Sequence, residues 1–205
     1  PEEFISIAEK NGLIHQLGDF AIRQACHQAA QWQAIVPLLV SVNFSSVQFR
    51  YCERLFAQIE QHLEESGLSP ELFDVEVTES LLFNQDSDLM EMLDKLRALG
   101  AKLTIDDFGI GYSALSYLQK FPFDRLKIDR SFLRNMFENE SDRELVNVII
   151  AMAKALNLNI VAEGIEEQRH VDYLTNLNCE FGQGFYYSRP LPAKEFEVLL
   201  TKPSW

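Results

Sequence analysis

Apolar positions along the chain alternate between a spacing typical of strands and a spacing typical of helices. Short runs of branched apolar residues predict six strands, within residues 37–45, 72–80, 101–107, 123–132, 158–166 and 180–192. Apolar residues at three- and four-residue steps predict helices over 3–34, 53–67, 87–99, 113–121, 142–157, 171–178 and 193–201. Regular alternation of strand and helix indicates a parallel sheet with helices packed on it.

The helical segments carry apolar faces that we expect to be buried. The face of the first segment contains Ile14, Leu17, Ala21, Ala25 and Ala29. In the segment 87–99 the expected inward residues are Met90, Leu93 and Leu96, and Gly67 suits the C-terminal cap of 53–67.

Each predicted strand becomes polar where it ends. In chain order these residues are Asn43, Glu76, Glu79, Asp106, Asp107, Lys127, Asp129, Glu163, Glu166 and Gln183. The active site of a (β/α)8 barrel is built at the C-terminal ends of several strands, whereas a doubly wound sheet collects its ligands at one switch point. Because the polar ends are spread over all six strands, the sequence favours a barrel.

Size and charge limit the kinds of partner. The chain has 205 residues, 47% of them hydrophobic, which is enough for one core and predicts a single α/β domain over 1–205. With 18 basic and 31 acidic residues its net charge is −13, which disfavours binding to DNA or RNA polymers. A phosphate-bearing substrate would therefore need cations from elsewhere, and metal ions are the obvious source.

Cysteine use and the ends of the chain bear on location. The three cysteines are scattered without a CxxC spacing, which fits a reducing, cytoplasmic setting. No apolar run approaches the roughly 20 residues of a membrane span, and no signal peptide is evident. The chain starts at Pro1 without an initiator methionine, so we expect it to be a piece of a larger protein. Whether that larger protein is tethered to a membrane is a question that the sequence leaves open.

Five of the strand-end residues offer oxygen ligands only: Asn43, Glu76, Asp106, Asp107 and Glu163. Such a set suits Mg²⁺ or Mn²⁺. Four carboxylates in one dry pocket need neutralisation, which two divalent ions would provide, and paired ions clamp the oxygens of a phosphoester displacement. The alternative, that Asp106 and Asp107 only cap the following turn, is open.

Lys127 interrupts an apolar strand. It is either a cation that orients water or offsets phosphate charge, or a buried lysine paired with Asp129 or another acid. A Schiff-base role is disfavoured, because neighbouring acids keep a lysine protonated. The stretch FGIGYS from Phe108 predicts a mobile loop, which Glu79 could brace through backbone amides, although an ordinary flexible loop explains it too.

Seven segments in order resemble the EAL-domain cyclic di-GMP phosphodiesterases. They are PEEFISIAEKNGLI, SVNFSSVQF, VEVTES, TIDDFGIGYSALSYL, LKIDRSF, IVAEGIEE and GQGFYYSRPLP, and they extend along nearly the whole chain. The resemblance implies a TIM-like (β/α)8 barrel, here without its first two strands, and hydrolysis of one phosphodiester of cyclic di-GMP to linear pGpG with two Mg²⁺ or Mn²⁺ ions.

The resemblance also implies roles for particular residues. Asn43, Glu76, Asp106, Asp107 and Glu163 would be metal ligands, and Lys127 would orient the catalytic water. Glu79 would brace the loop 108–115, which links dimerisation to metal binding in this family. Substrate contacts would come from Gln183, Glu166, Phe185 and Pro190, and the partners expected are cyclic di-GMP, a second copy of the chain, and upstream sensory or diguanylate cyclase domains.

One departure from the family pattern keeps a second function open. The Glu-Ala-Leu tripeptide, whose glutamate is a metal ligand, and the phosphate-binding arginine that follows it do not occur in these 205 residues. The alternative is therefore a catalytically inactive domain that acts as a cyclic di-GMP receptor or scaffold. An unrelated metal-dependent lyase or aldolase barrel is disfavoured by the order of the motifs.

Overall fold

The computed structural model describes residues 3–83, 87–109, 118 and 120–201. Its strands are β1 Val40–Phe44, β2 Phe73–Thr78, β3 Lys102–Phe108, β4 Arg125–Ile128, β5 Asn159–Glu163 and β6 Phe181–Gln183. Its α-helices are α1 Ile5–Asn11, α2 Ile14–Gln33, α3 Cys52–Ser66, α4 Ser87–Leu99, α5 Arg130–Asn135, α6 Glu140–Ala155, α7 Gln168–Asn176 and α8 Ala193–Leu200. Most of the helix predicted over 113–121 falls outside the described residues.

The chain forms two compact units, one of residues 1–103 and 192–205 and the other of residues 104–191. In the first unit β1 and β2 pair in parallel, with Val40 opposite Phe73 and Phe44 opposite Val77. Helix α2 packs on β1 and on α3. Helix α8 joins this unit through Trp32, whose indole Nε1 donates to the Glu197 carboxylate at 3.2 Å.

Three predictions about helices in the first unit need refinement. The first helical segment is two helices, because Gly12 adopts a left-handed conformation with φ of 79° between α1 and α2. The buried face of α2 contains Ile14, Ile22, Cys26 and Ala29, whereas Leu17, Ala21 and Ala25 are only half-buried. In α4, Leu93 and Leu96 are buried as predicted, but Met90 is half-buried, because Leu89 and Met92 face inward instead.

The end of α3 follows the prediction. Gly67 caps the helix with φ of 70°, a conformation that glycine adopts without a steric penalty, and its amide bonds to the Leu63 carbonyl at 3.0 Å. Leu55, Ile59 and Leu63 form the buried side of α3.

In the second unit β3, β4, β5 and β6 pair in parallel, each with the next. The interior strand residues Ile105, Leu126 and Ile160 are completely buried. Helix α5 was not predicted. It begins directly after β4, because the Asp129 carboxylate accepts a hydrogen bond from the Ser131 amide at 2.8 Å and caps the helix.

The structure contains six parallel strands, and their order in space follows their order in the sequence. Helices occur in the described connections that follow these strands. This repeated βα unit confirms the predicted fold class, a TIM-like (β/α)8 barrel that is here without its first two strands. Among the described residues, no helix is both long enough and apolar enough to span a bilayer.

Candidate functional site

Three neighbouring strands of the second unit bring a lysine and two carboxylates together. Lys127 Nζ on β4 lies 3.1 Å from Asp106 Oδ1 on β3 and 2.7 Å from Glu163 Oε1 on β5. The three side chains are largely buried, with 5%, 12% and 17% of their surfaces exposed for Lys127, Asp106 and Glu163. We call Asp106, Lys127 and Glu163 the acid–lysine cluster. Lys127 is thus buried and paired with acids on the two neighbouring strands, which agrees with the expectation of a buried lysine paired with Asp129 or another acid.

The side chains of the adjacent residues Asp106 and Asp107 have different surroundings. The pairing of β3 with β4 shifts register between Ile105 and Phe108, and Asp107 takes a left-handed conformation with φ of 55°. The Asp107 amide donates to the Asp106 carboxylate at 2.9 Å. As a result, Asp106 is buried within the cluster while Asp107 is exposed.

Crowding of negative charge affects Asp107. Partial burial raises the pKa of its carboxyl, and repulsion from Asp106 and Asp129 adds to the rise, while Lys127 and Arg130 oppose it. Anionic Asp107 is therefore disfavoured by its neighbours, and an added cation near it would relieve that repulsion.

The loops that follow β5 and β6 are locked together at Ile165. The Ile165 amide donates to the Gln183 carbonyl at 3.0 Å, and the Tyr186 amide donates to the Ile165 carbonyl at 2.9 Å. Gly184 lies so close that a Cβ there would come within 2.1 Å of the Ile165 carbonyl oxygen. We call Ile165, Gln183, Gly184 and Tyr186 the Ile165 clamp.

The predicted substrate-binding residues are exposed around this clamp. Glu163 and Gln183 are opposite each other in the register of β5 and β6, and Glu166 follows in the same loop as Ile165. Gln183, Glu166 and Pro190 are exposed. Phe185 is 53% exposed, and the Arg189 guanidinium carbon lies 4.6 Å from the centroid of its ring. Their exposure leaves these side chains accessible to a ligand.

In the first unit, Asn43 and Glu76 are register partners on β1 and β2. In parallel strands such partners project to the same face, here opposite to the buried Val42 and Phe44. Glu76 is 6% exposed and Asn43 is exposed. The two predicted ligands on these strands are therefore side by side.

Sequence reasoning missed a polar pair on the same face. Ser41 Oγ donates to the Asp74 carboxylate at 2.9 Å, two residues before Asn43 and Glu76, and Asp74 is almost completely buried. The alternation of Ser41 with Val40 and Val42 was the available signal, because it places Ser41 on the Asn43 face. Glu79 is 3% exposed and begins a short 3₁₀ helix, Glu79–Phe83. Most of the loop it was predicted to brace lies outside the described residues.

The donor chemistry suits hard divalent cations, because carboxylate and amide oxygens predominate. In the part of the chain that the structure describes, no three acidic, histidine or cysteine side chains converge with metal-site geometry. In the second unit the Lys127 ammonium instead occupies the space between two of the predicted ligands, Asp106 and Glu163.

The model of the EAL domain family matches residues 1–190 of the chain. The chain belongs to the EAL domain family. This EAL domain is 39% identical over 202 residues to a cyclic di-GMP phosphodiesterase, NbdA, of Pseudomonas aeruginosa, covering 98% of the chain and 26% of that protein. It is 38% identical over 198 residues to a cyclic di-GMP phosphodiesterase, PdeR, of Escherichia coli, covering 96% of the chain and 30% of that protein.

Solved structures share the fold of this EAL domain. A structure described as "PaMucR Phosphodiesterase, c-di-GMP complex" superposes with a TM-score of 0.91 at 37% sequence identity, and the match covers 96% of the chain and 80% of that structure. The EAL domain spans about a quarter of the length of the curated relatives that it matches.

Proposed function

We propose that this EAL domain hydrolyses one phosphodiester bond of cyclic di-GMP and releases linear pGpG. The observation that carries the proposal is the acid–lysine cluster, in which three neighbouring strands aim opposite charges at one point. Relatives named cyclic di-GMP phosphodiesterases align over almost the whole chain and support the choice of substrate.

Five residues are proposed as metal ligands: Asn43, Glu76, Asp106, Asp107 and Glu163. Two divalent ions, Mg²⁺ or Mn²⁺, would supply the positive charge that displacement at a phosphodiester requires. The chain itself, with a net charge of −13, has little positive charge of its own to offer a dianionic dinucleotide.

The chain's own residues are proposed to position water and substrate. Lys127 holds the carboxylates of Asp106 and Glu163 in place and directs a proton of its ammonium group toward the attacking water. Asp107 is exposed next to Asp106 of the cluster, so its carboxylate is placed to accept the proton that the water loses.

Substrate recognition is proposed at the rim formed by the loops after β5 and β6. Glu166 accepts hydrogen bonds from a guanine edge, and Gln183 donates to the substrate beside Glu163. Phe185 and Pro190 offer exposed apolar faces to a base. The Ile165 clamp keeps the two loops at a fixed separation, so these contacts are positioned before the ligand arrives.

Several proposals concern the natural protein as a whole. We propose that the domain works in the cytoplasm, pairs with a second copy, and is controlled by sensory or diguanylate cyclase domains that precede it. The length of the relatives supports further domains, since this EAL domain matches only about a quarter of each. We also propose that residues 1–205 form a single domain. A further proposal is that Glu79 braces the loop 108–115.

The test is turnover of cyclic di-GMP by the natural protein that contains this domain, with Mg²⁺ or Mn²⁺ and with a chelator in parallel. Chromatography should show pGpG formed only when the metal is present. Tight binding of cyclic di-GMP without any pGpG would overturn the proposal and identify the domain as a receptor. Product formation that is unaffected by the chelator would overturn the metal assignment alone.

A further inference from the structure

A cavity of about 580 Å³ lies in the first unit, between the start of α3 and helix α4. Its lining includes Arg50, Tyr51, Arg54, Met92 and Lys95. None of the strand-end residues assigned above contributes to it. Cavities of about 300–1,000 Å³ are the usual size of small-molecule sites. The question is which chemistry these side chains would recognise.

One of the three cations in the lining already forms an ion pair. Lys95 Nζ lies 2.7 Å from Glu91 Oε1, one turn earlier on α4. The hydrogen bond and charge of Glu91, with a further contribution from the Glu53 carboxylate, hold the pKa of Lys95 above its usual value. Lys95 is therefore held by Glu91, which leaves Arg50 and Arg54 as the lining cations without an ion pair among the described residues.

The other two cations are Arg50 and Arg54. Neither forms an ion pair within the described parts of the chain, although the chain contains 31 acidic residues. Arg50 lies in the short 3₁₀ helix Gln48–Tyr51 just before α3, and Arg54 lies in the first turn of α3. Both are exposed, and both line the cavity. Planar guanidinium groups bind phosphate oxygens in pairs of hydrogen bonds, so this side of the cavity suits an oxyanion.

The same cavity has an apolar side. Tyr51 is 61% exposed, which is high for a large aromatic residue. Its ring packs edge-to-face with the His15 ring, and the two ring centroids are 5.4 Å apart. Phe56 is half-buried and Met92 is buried in the lining. These three side chains would contact the apolar or planar body of a ligand whose anionic group lies at the arginines.

Acidic residues in the lining limit the charge of the ligand. Glu53, Asp88 and Glu91 also face the cavity, so its three basic side chains are matched by three acidic ones. A polyphosphate would be repelled by these carboxylates, whereas a single phosphate group can be held by the two unpaired guanidinium groups.

We propose that this cavity binds a small organic phosphate monoester with a planar body, such as a nucleoside 5′-monophosphate. Its phosphate contacts Arg50 and Arg54, and its base lies against Tyr51, Phe56 and Met92. The cavity shares no residue with the acid–lysine cluster, and the proposal does not depend on the proposed phosphodiesterase function.

The test is isothermal titration of the full chain with AMP as the probe and with inorganic phosphate in parallel. Three proteins are compared: wild type, the double variant Arg50→Gln/Arg54→Gln, and the control Lys10→Gln/Arg23→Gln. The control removes the same charge from exposed positions of the same unit. Circular dichroism verifies that each variant is folded.

We expect saturable AMP binding by wild type and control, weakened at least about tenfold in Arg50→Gln/Arg54→Gln, and phosphate binding weaker than AMP binding by a similar factor. Equal AMP affinity of the double variant and the control would overturn the proposal. It would be overturned as well if wild type showed no saturable binding of AMP, or if phosphate bound as tightly as AMP.

Discussion

At the scale of single residues, Lys127 shows how a buried charge can be tolerated on an apolar strand. Its ammonium group loses water on burial, and two carboxylates at 3.1 and 2.7 Å replace that water. The attraction within a buried ion pair mainly compensates for the hydration that its charges lose, and it adds little net stability. Removing one partner, however, leaves the remaining buried charges without compensation. The three members of the acid–lysine cluster therefore depend on one another.

Replacing Lys127 with methionine tests this dependence. Lys127→Met keeps the length of the side chain but leaves two nearly buried carboxylates beside each other, so we expect a loss of about 3–5 kcal/mol in the free energy of unfolding. Urea denaturation measures it, with the exposed Lys194→Met as control. A loss below about 1 kcal/mol would mean that the cluster is not coupled as described.

The cysteines make a second residue-scale prediction, which depends on pH. Burial raises the pKa of Cys26 to about 12 and that of Cys179 to about 11. Only the thiolate reacts with iodoacetamide, so we expect both to be alkylated slowly at pH 8 in the native chain. The rate at Cys179 should rise about tenfold per pH unit up to pH 10, because each unit below the pKa reduces the thiolate tenfold.

Peptide-resolved mass spectrometry measures these rates, with the chain in denaturant as the reference. Native Cys179 that reacts at the rate of the denatured chain at pH 8 would contradict the described burial.

At the scale of elements, the Ile165 clamp determines how far the β5 and β6 loops are apart. Two backbone hydrogen bonds and the close approach of Gly184 join these loops. Backbone–backbone contacts cannot be relieved by rotating a side chain, so the clamp has little freedom to adapt. The proposed substrate contacts of Glu166 and Gln183 depend on it.

Two glycine substitutions separate backbone from side-chain crowding. In Gly184→Ala the new Cβ meets the Ile165 backbone nitrogen at 2.3 Å, so the loops must move apart and affinity for cyclic di-GMP should fall at least about tenfold. In Gly182→Ala it meets the end of the Ile165 side chain at 2.4 Å, which can shift, so a smaller effect is expected. Titration with cyclic di-GMP compares them, and equal affinities would argue against the clamp.

Helix α5 is the element that the sequence pattern did not predict. The sequence predicts a strand within 123–132 and no helix directly after it. The signal was Asp129, whose carboxylate caps a helix of only six residues, Arg130–Asn135. A short helix shows little periodicity, so its cap is the better evidence in the sequence.

At the scale of the whole molecule, the fold could be predicted because buried strands and amphipathic helices have different apolar periods. The strand ends indicated which residues would share one edge, as with Asn43 and Glu76 or Glu163 and Gln183. The ion-pair partners of Lys127 could not be predicted, because they depend on the register of β3, β4 and β5. The cavity at Arg50 could not be predicted either, since it arises from how α3 and α4 pack.

The central claim is that the acid–lysine cluster is part of a catalytic centre for cyclic di-GMP hydrolysis. The most direct test is the kcat/KM of Glu163→Gln in the natural protein with Mn²⁺, beside Glu144→Gln, which makes the same change at an exposed position of α6. We predict a fall of at least about 100-fold for Glu163→Gln and none for Glu144→Gln. Turnover by a folded Glu163→Gln variant within about threefold of wild type would contradict the account.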